Sequence, residues 1–103
     1  MSEATITQER EMTVICPAGD VISSNVPELR SVLRTTVQAG ARDLVLDLCH
    51  TAMVDSCGLG LVIGTYNSLQ KVGGRLRVIH ASRDVLSLFQ TMRMHQHFEI
   101  TGS

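Results

Sequence analysis

The spacing of apolar residues along the chain predicts that strands and helices alternate. The segments ATITQER and MTVICPAGDV near the amino terminus have strand character, because their apolar residues recur at intervals of two. Pro17 and Gly19 are expected to end the second strand, since neither continues a hydrogen-bonded ladder well. The residues expected on the buried side of this half-buried sheet are Ile6, Met12, Val14 and Cys16.

The next segment, NVPELRSVLRTTVQAG, has the pattern of an amphipathic helix. Asn25 and Glu28 have the spacing of a capping box, and Pro27 suits the first turn. Gly40 is a suitable residue to end the helix. The residues expected to face the core are Val26, Leu29, Val32, Leu33 and Val37.

The middle of the chain predicts a buried strand followed by a second helix. RDLVLDL is almost continuously apolar from Leu44 to Leu46, which is typical of a strand buried on both faces. Helical spacing begins at Leu59 and stops at the Gly73-Gly74 pair. The apolar residues at this helical spacing are Leu59, Val62, Ile63, Tyr66, Leu69 and Val72.

The last part of the chain predicts a strand, RLRVIHA, a helix, SRDVLSLFQTM, and a short edge strand, HFEI. Ser82 is expected to cap the helix. The residues expected to face inward are Val85, Leu88, Phe89 and Met92. The element order is therefore β-β-α-β-α-β-α-(β), and it predicts a single α/β domain over residues 1–103, with helices packed on a small mixed sheet.

Composition narrows the possible functions. The chain has 103 residues, of which 44% are hydrophobic and 18% charged, as expected for one globular domain. The net charge is -1, the nine Lys and Arg residues are scattered, and the aromatic residues are one Tyr and two Phe. Such a surface offers neither a basic patch for phosphate backbones nor a base-stacking platform, so nucleic-acid binding is not expected.

The same features predict a cytoplasmic protein. The amino-terminal MSEATITQEREM lacks the apolar region of a signal peptide, and the apolar run from Leu59 to Gly64 is far shorter than the roughly 20 residues that cross a bilayer. The three cysteines cannot all pair within one chain, which favours reduced thiols. We therefore expect no membrane attachment, and we expect a monomer.

The stretch MVDSCGLGLVIG, from Met53 to Gly64, carries the candidate chemistry. It lies where the buried strand gives way to the second helix. Asp55 or Ser56 can cap the unpaired N–H groups of that helix. The glycines at positions 58, 60 and 64 allow the helix start to press closely on the sheet, or leave its tip open to a partner.

Four site types fit this stretch less well. The glycine spacing is G-x-G-x-x-x-G, not the G-x-G-x-x-G of dinucleotide-binding folds, and Val54 stands where a hydrolase elbow needs glycine. Cys57 is either a reactive thiol or, more often at such a position, a small buried residue. Cys49-His50 with His95 and His97 lacks the paired spacing of a metal site. Neither a metal nor another cofactor is therefore expected.

The remaining interpretation is that Ser56 is a substrate for modification. The segment VDSCGLGLVIGTYNSLQKVGGRLRVIHASRDVLSLFQTMRMHQHFEI resembles the second half of the STAS domains of anti-sigma-factor antagonists. That family is marked by D-S-[ST]-G-L-G, a helix, a GG pair, a strand and a helix ending near F-x-I. The first half matches through the strand ending at Gly19, the helix with Pro27, Glu28 and Leu29, and LVLDL. The resemblance extends from Thr5 to Ile100.

The resemblance implies a regulator without catalytic activity of its own. Ser56 matches the serine that is phosphorylated by the partner, an anti-sigma factor with ATP-dependent serine kinase activity. The unphosphorylated chain would bind that partner and free a sigma factor, and a PP2C-type phosphatase would reverse the modification. The expected partner-binding residues are Asp55, Ser56, Cys57, Gly58, Leu59 and Gly60, with Asp20, Ser23 and Ser24 beside them.

Two departures from the family pattern leave alternatives open. Cys57 replaces the second hydroxyl of the motif, and Ile22 stands where the family often has an aspartate. The missing aspartate at Ile22 favours a STAS subunit that is not phosphorylated, in a stress-signalling, lipid-transport or response-regulator assembly, whereas the intact Asp55-Ser56 pair favours the phosphorylated regulator. A small enzyme that uses Ser56 or Cys57 as its nucleophile is the alternative from a different class.

Overall fold

The computed structural model describes residues 4–102, and its elements follow the predicted order. Residues 1–3 and 103, which the single-domain assignment includes, lie outside the described residues. The strands are β1 (Ala4–Glu9), β2 (Met12–Pro17), β3 (Asp43–Asp47), β4 (Arg75–Ala81) and β5 (Glu99–Gly102). The helices are α1 (Val26–Gln38), α2 (Ser56–Lys71) and α3 (Arg83–Thr91), and a short 3-10 turn spans Met94–Gln96.

The five strands form one mixed sheet in the order β1-β2-β3-β4-β5. The β1–β2 hairpin is antiparallel, whereas β2, β3, β4 and β5 are parallel to one another. Ile15 of β2 pairs with Leu46 of β3, so these two strands end close together at one edge of the sheet. The loops that lead from this edge into α1 and α2 therefore start side by side.

The core lies between the sheet and the helices, and β3 is at its centre. Leu44 and Leu46 face the core together with buried residues of all three helices. Val45 points to the opposite face of the sheet and is also buried, so that none of these three residues is more than 2% exposed. The prediction that β3 is buried on both faces is confirmed.

The predicted faces of the hairpin were wrong, although the period was right. In β2 the buried positions are Thr13, Ile15 and Pro17, while the expected set of Met12, Val14 and Cys16 is only half-buried. Ile6 is 54% exposed, because β1 is an edge strand whose side chains lie largely in solvent. Thr13 is buried despite its hydroxyl, which donates a 3.0 Å hydrogen bond to Oε1 of Gln8.

The helix faces also differ from the prediction in part. Ile63 of α2, Val72 just after α2 and Met92 just after α3 are exposed, and Leu61 and Thr65 are buried instead. Helix α2 is apolar on more than one side, so periodicity alone could not choose its inner face. Within residues 4–102, no helix is long and apolar enough to cross a membrane.

Some of the predicted helix caps and helix ends agree with the structure, and one does not. Ser82 caps α3 as expected, since its Oγ accepts the N–H of Val85 at 3.2 Å. Asn25 does not cap α1 with its side chain, because its amide donates to the carbonyl oxygen of Asp20 at 2.8 Å instead. The capping box is therefore wrong. Gly40 and Gly73 follow α1 and α2 with φ angles of 109° and 73°, which are conformations that favour glycine.

Gly58 in the first turn of α2 allows the closest approach of this helix to the rest of the chain. Val21 and Val54 form a parallel bridge beneath it. A Cβ atom on Gly58 would overlap the carbonyl oxygen of Val21 and lie 2.9 Å from Cγ1 of Val54. The packing explanation for this glycine is confirmed, whereas a Cβ on Gly60 or Gly64 would meet no atom within 4 Å.

We expect Gly58→Ala to destabilise the protein, because the start of α2 would have to move away from a backbone atom. Overpacking of this kind costs about 1–3 kcal/mol in free energy of unfolding, and each kcal/mol lowers Tm by about 4–8 °C in a domain of this size. Gly64→Ala is the matched control in the same helix. It should leave Tm unchanged or raise it, since alanine favours a helix by up to about 1 kcal/mol over glycine. Equal Tm values for the two variants would contradict the packing role of Gly58.

Candidate functional site

Asp55 organises the start of α2. One carboxylate oxygen, Oδ1, accepts the backbone N–H of Gly58 at 2.9 Å and so caps the helix. The other, Oδ2, accepts the backbone N–H of Ser23 at 2.8 Å, across 32 residues of sequence. The expectation that Asp55 or Ser56 caps this helix is confirmed for Asp55. The bond to Ser23 shows in addition that Asp55 joins the loop before α1 to the loop before α2.

Asp20 joins the same two loops from the other side. Its Oδ1 accepts the backbone N–H groups of Ala52 and Met53 at 2.8 and 3.1 Å. The hydroxyl of Thr51 donates to the carbonyl oxygen of Gly19 at 2.9 Å, which adds a further link. The Asp20 carboxylate is therefore bound to the loop before α2. This contact gives Asp20 a structural role, in addition to the partner-binding role that was predicted for it.

The backbone completes the connection between the loops. The N–H of Val21 donates to the carbonyl oxygen of Met53 at 3.0 Å, and the N–H of Asp55 donates to that of Val21 at 3.3 Å. These bonds extend the parallel pairing beyond the ends of β2 and β3. Residues 19–25 and 51–60 thus form one continuous, hydrogen-bonded surface, which we call the α2 platform.

Ser56 lies exposed on the α2 platform as the first residue of α2. None of the hydrogen bonds among residues 4–102 involves its hydroxyl. The hydroxyl is therefore accessible to a modifying enzyme. It also sits at the positive end of the helix dipole, where a negative group is favoured.

The other predicted partner-binding residues differ in how far they are exposed to solvent. Cys57, Gly60, Ser23 and Ser24 are exposed, and Leu59 is half-buried. The expectation that Cys57 is a small buried residue was wrong, because it lies on the solvent side of the first turn. Gly58 is buried on the inner side of the first turn of α2, where it allows the helix to pack closely on Val21 and Val54.

Sequence reasoning missed Met53 as a surface residue of the platform. Its side chain is 58% exposed, beside the buried Val54. The alternation of Val54 inward and Met53 outward follows from the bridge with Val21, and recognising a short strand at this point could have revealed it. Met53 and the half-buried Ile22 add apolar surface next to the exposed serine.

The electrostatics of the platform are set by Asp55. The hydrogen bonds from Gly58 and then Ser23 hold the pKa of the Asp55 carboxyl below its usual value, because both donate to the ionised form. The carboxylate is thus ionised at neutral pH, next to Ser56. A phosphate on Ser56 would combine with it into a strongly negative surface.

An enzyme that used Ser56 or Cys57 as its nucleophile would need a base such as a histidine within hydrogen-bond distance. His80 Nδ1 is 2.9 Å from Oδ1 of Asp47, at the end of β4. Within residues 4–102, no hydrogen bond joins Ser56 or Cys57 to a histidine. The contact between nucleophile and base that an enzyme of this type requires is thus not formed among the described residues.

The metal-ligand set that was considered in the sequence is arranged differently in the structure. Cys49 and His50 lie together with Cys16. His97 instead packs near Tyr66, with their ring centroids 5.9 Å apart. Burial, and then the hydrogen bond with Cys49, raise the pKa of the Cys16 thiol to about 11.

Comparison with known proteins agrees with this geometry. The chain matches the STAS domain family over residues 3–103. It is 34% identical over 98 residues to the anti-sigma-B factor antagonist of Staphylococcus aureus (strain NCTC 8325 / PS 47). The matched region covers 95% of this chain and 82% of that protein.

Two solved structures share the fold. The crystal structure of an anti-sigma factor antagonist from Mycobacterium paratuberculosis has a TM-score of 0.89 at 18% identity, covering 100% of this chain and 87% of that one. The Bacillus cell fate determinant SpoIIAA in the phosphorylated form has a TM-score of 0.76 at 24% identity, covering 95% of this chain and 90% of that one. The family match over nearly the whole chain and the 34% identity to a curated relative together show that this chain belongs to the STAS domain family.

Proposed function

We propose that this protein is an anti-sigma factor antagonist that binds an anti-sigma factor through the α2 platform and is released when Ser56 is phosphorylated. The observation that carries the proposal is the exposed, unbonded Ser56 hydroxyl on a surface fixed by Asp20 and Asp55. Relatives named as anti-sigma-B factor antagonists support the partner class. The phosphorylated form of SpoIIAA, a protein of the same fold, supports the modification.

The partner, in this proposal, is also the kinase. An anti-sigma factor with serine kinase activity would bind ATP and transfer the terminal phosphoryl group of ATP to the Ser56 oxygen, with release of ADP and of the serine proton. A PP2C-type phosphatase would hydrolyse the phosphoserine and restore binding. The antagonist needs no nucleotide site and no cofactor for this cycle, which would operate in the bacterial cytoplasm.

The physical basis of the switch is the difference between a free surface and a covered one. On the free protein, the helix start favours a negative charge at Ser56 by about 0.3–1 kcal/mol, and repulsion from Asp55 acts in the opposite direction. The fold should therefore tolerate the phosphate. Against a partner, the added charge must lose its water, which costs several kcal/mol, and each ~1.4 kcal/mol weakens binding tenfold.

Cys57 and Ile22 support a second candidate function. The half-buried Ile22 provides no carboxylate at a position where the family often has one, and Cys57 provides no second hydroxyl beside Ser56. A STAS subunit that is not phosphorylated, acting as a scaffold in a larger complex, would need neither group. In that case the α2 platform would bind other proteins constitutively.

The first test is phosphate mapping on the protein isolated from its native cells with phosphatases inhibited. Tandem mass spectrometry should find one phosphate, on Ser56, in a fraction that changes with growth condition. Ser23 and Ser24 are the internal controls, since they are exposed on the same platform. Phosphate at those serines alone, or at no serine under any condition, would contradict the switch and favour the scaffold.

The second test separates charge from folding. Ser56→Asp should weaken binding to the anti-sigma factor at least about tenfold, because an uncompensated charge is placed in the covered surface, while its melting curve stays close to that of the wild type. Ser87→Asp is the matched control, since Ser87 is exposed on α3 and the same charge is added. Isothermal titration calorimetry with the purified partner measures the affinity of both variants and of the wild type, and thermal denaturation records their melting curves.

Each result of the binding test has a distinct meaning. Wild-type protein that fails to bind any anti-sigma factor of its organism would contradict the antagonist function. Wild-type binding that Ser56→Asp does not weaken would contradict only the phosphorylation switch. A similar loss in Ser56→Asp and Ser87→Asp would show that charge acts without regard to position.

Asp55→Ala tests whether the platform depends on this carboxylate. Its lowered pKa means that the ionised carboxylate stabilises the folded state above the ordinary carboxyl pKa, and that this stabilisation is lost as the pH falls through the lower folded value. At neutral pH, Tm should therefore be lower for Asp55→Ala than for the wild type. The gap should narrow in the acid range below about pH 4.

The control for this pH dependence is Glu11→Ala, which removes an exposed carboxylate in the turn between β1 and β2. Its Tm should follow that of the wild type at every pH. Melting curves from neutral to acid pH, recorded by circular dichroism, measure the three proteins together. A gap between wild type and Asp55→Ala that is independent of pH would contradict the role of the charge.

A further inference from the structure

We infer that Cys16, Cys49 and His50 form a binding site for Zn²⁺ at the edge of the sheet that carries the α2 platform. One ligand atom from each residue lies within 4.8 Å of the other two. The set contains two thiols and one imidazole, which are the ligands that zinc prefers. The site is separate from Ser56 and does not depend on the proposed function.

The register of the sheet explains why these residues meet. Val14 of β2 pairs with Val45 of β3, so Cys16, two residues on, points to the same face as Asp47. Cys49 lies in the turn that follows β3, two residues after Asp47. Leu48 is anchored to β4 by its N–H, which donates to the carbonyl oxygen of Ile79 at 3.0 Å. The turn after β3 therefore projects Cys49 and His50 over the end of β2.

The distance between the two sulfur atoms suits a shared metal ion. The Sγ atoms of Cys16 and Cys49 are 3.6 Å apart. Two thiolates at zinc–sulfur distances of about 2.3 Å in a tetrahedral site are separated by about 3.8 Å. The same 3.6 Å is well beyond the ~2.05 Å of a disulfide bond. The pair is thus spaced as zinc ligands without any large movement.

The imidazole and the surroundings complete the site. Cys49 and His50 are exposed, so a rotation of the His50 side chain can bring a ring nitrogen onto the ion. Asp47 Oδ1 accepts the backbone N–H of Cys49 at 3.0 Å and fixes the turn. Three protein ligands leave the fourth tetrahedral position to water. The two thiols lose their protons to solvent on binding, and the two thiolates then neutralise the charge of Zn²⁺.

A bound ion would connect the end of β2 to the turn after β3, which lead into the two loops of the α2 platform. Cys16 is four residues before Asp20, and Cys49 is six residues before Asp55. The ion would add a cross-link to the hydrogen bonds that already join these loops. Zn²⁺ should therefore raise the Tm of the protein as well as bind to it.

The test uses the full chain, freed of metal by a chelator and kept reduced with a phosphine. Titration with Zn²⁺ against a chromophoric chelator should show one ion per chain. Cys49→Ser should weaken this binding at least about tenfold, because it removes a thiolate ligand. Cys57→Ser is the matched control, since Cys57 is also an exposed cysteine but lies outside the cluster. Its affinity should equal that of the wild type.

Co²⁺ provides a spectroscopic readout that does not depend on affinity. The wild type and Cys57→Ser should show thiolate-to-cobalt charge transfer and the intense visible bands of a tetrahedral site, and Cys49→Ser should lose most of this absorption. His50→Ala should also weaken Zn²⁺ binding, with His95→Ala as its control. Far-UV circular dichroism verifies that each variant is folded, which the exposure of the substituted residues favours.

Several outcomes would overturn the proposal. One is the absence of saturable binding at one ion per chain. Others are equal affinity in Cys49→Ser and the wild type, or an affinity that His50→Ala leaves unchanged. A disulfide between Cys16 and Cys49 in protein purified without reductant, combined with no effect of Zn²⁺ on the reduced protein, would identify the pair as a redox site instead.

Discussion

The α2 platform depends on the close approach of the first turn of α2 to the backbone of Val21. At this point a helix meets a strand-like segment with no room for a side chain, and Gly58 is the residue that makes the contact possible. The approach allows the Val21–Val54 bridge to form beyond the ends of β2 and β3. That bridge holds the loop before α1 against the loop before α2, and every exposed residue of the platform belongs to one of these loops or to the start of α2.

Two carboxylates secure this arrangement by satisfying backbone N–H groups that the bridge leaves unpaired. Asp20 accepts two from the loop before α2, and Asp55 accepts one from each side. Each of these hydrogen bonds has an ionised acceptor, which makes it stronger than a bond between neutral groups, so together they hold the two loops against each other. In the proposed function, a surface held in this way would present Ser56 to the partner in a constant position. The proposed phosphate would then act on the partner without altering the fold.

The sequence was sufficient for the element order, the doubly buried β3 and a cap of α2 by Asp55 or Ser56, which all follow from patterns within a few residues. Local patterns were not sufficient for the Asn25 capping box or for the inner face of α2, and features that arise from register were missed. The inner face of β2 could not be predicted, because apolar residues alternate in the same way on both faces of the strand. The contact between Asp55 and Ser23 could not be predicted either, because the two residues are 32 positions apart in the sequence. The exposure of Met53 and the meeting of Cys16 with Cys49 depend on the same long-range pairing.

The three glycines of α2 differ in whether the packing of the chain requires a glycine at their position. Gly58 is required by the fold, since any side chain there meets the Val21 backbone. A side chain at Gly60 or Gly64 would meet nothing in the chain, and glycine in a helix interior is less favourable than alanine by up to about 1 kcal/mol. Both residues line a groove of about 420 Å³ between α1 and α2, next to Arg30 and Arg34. The packing of the chain therefore explains the first glycine of the motif, whereas the other two shape a surface that the chain itself leaves uncovered.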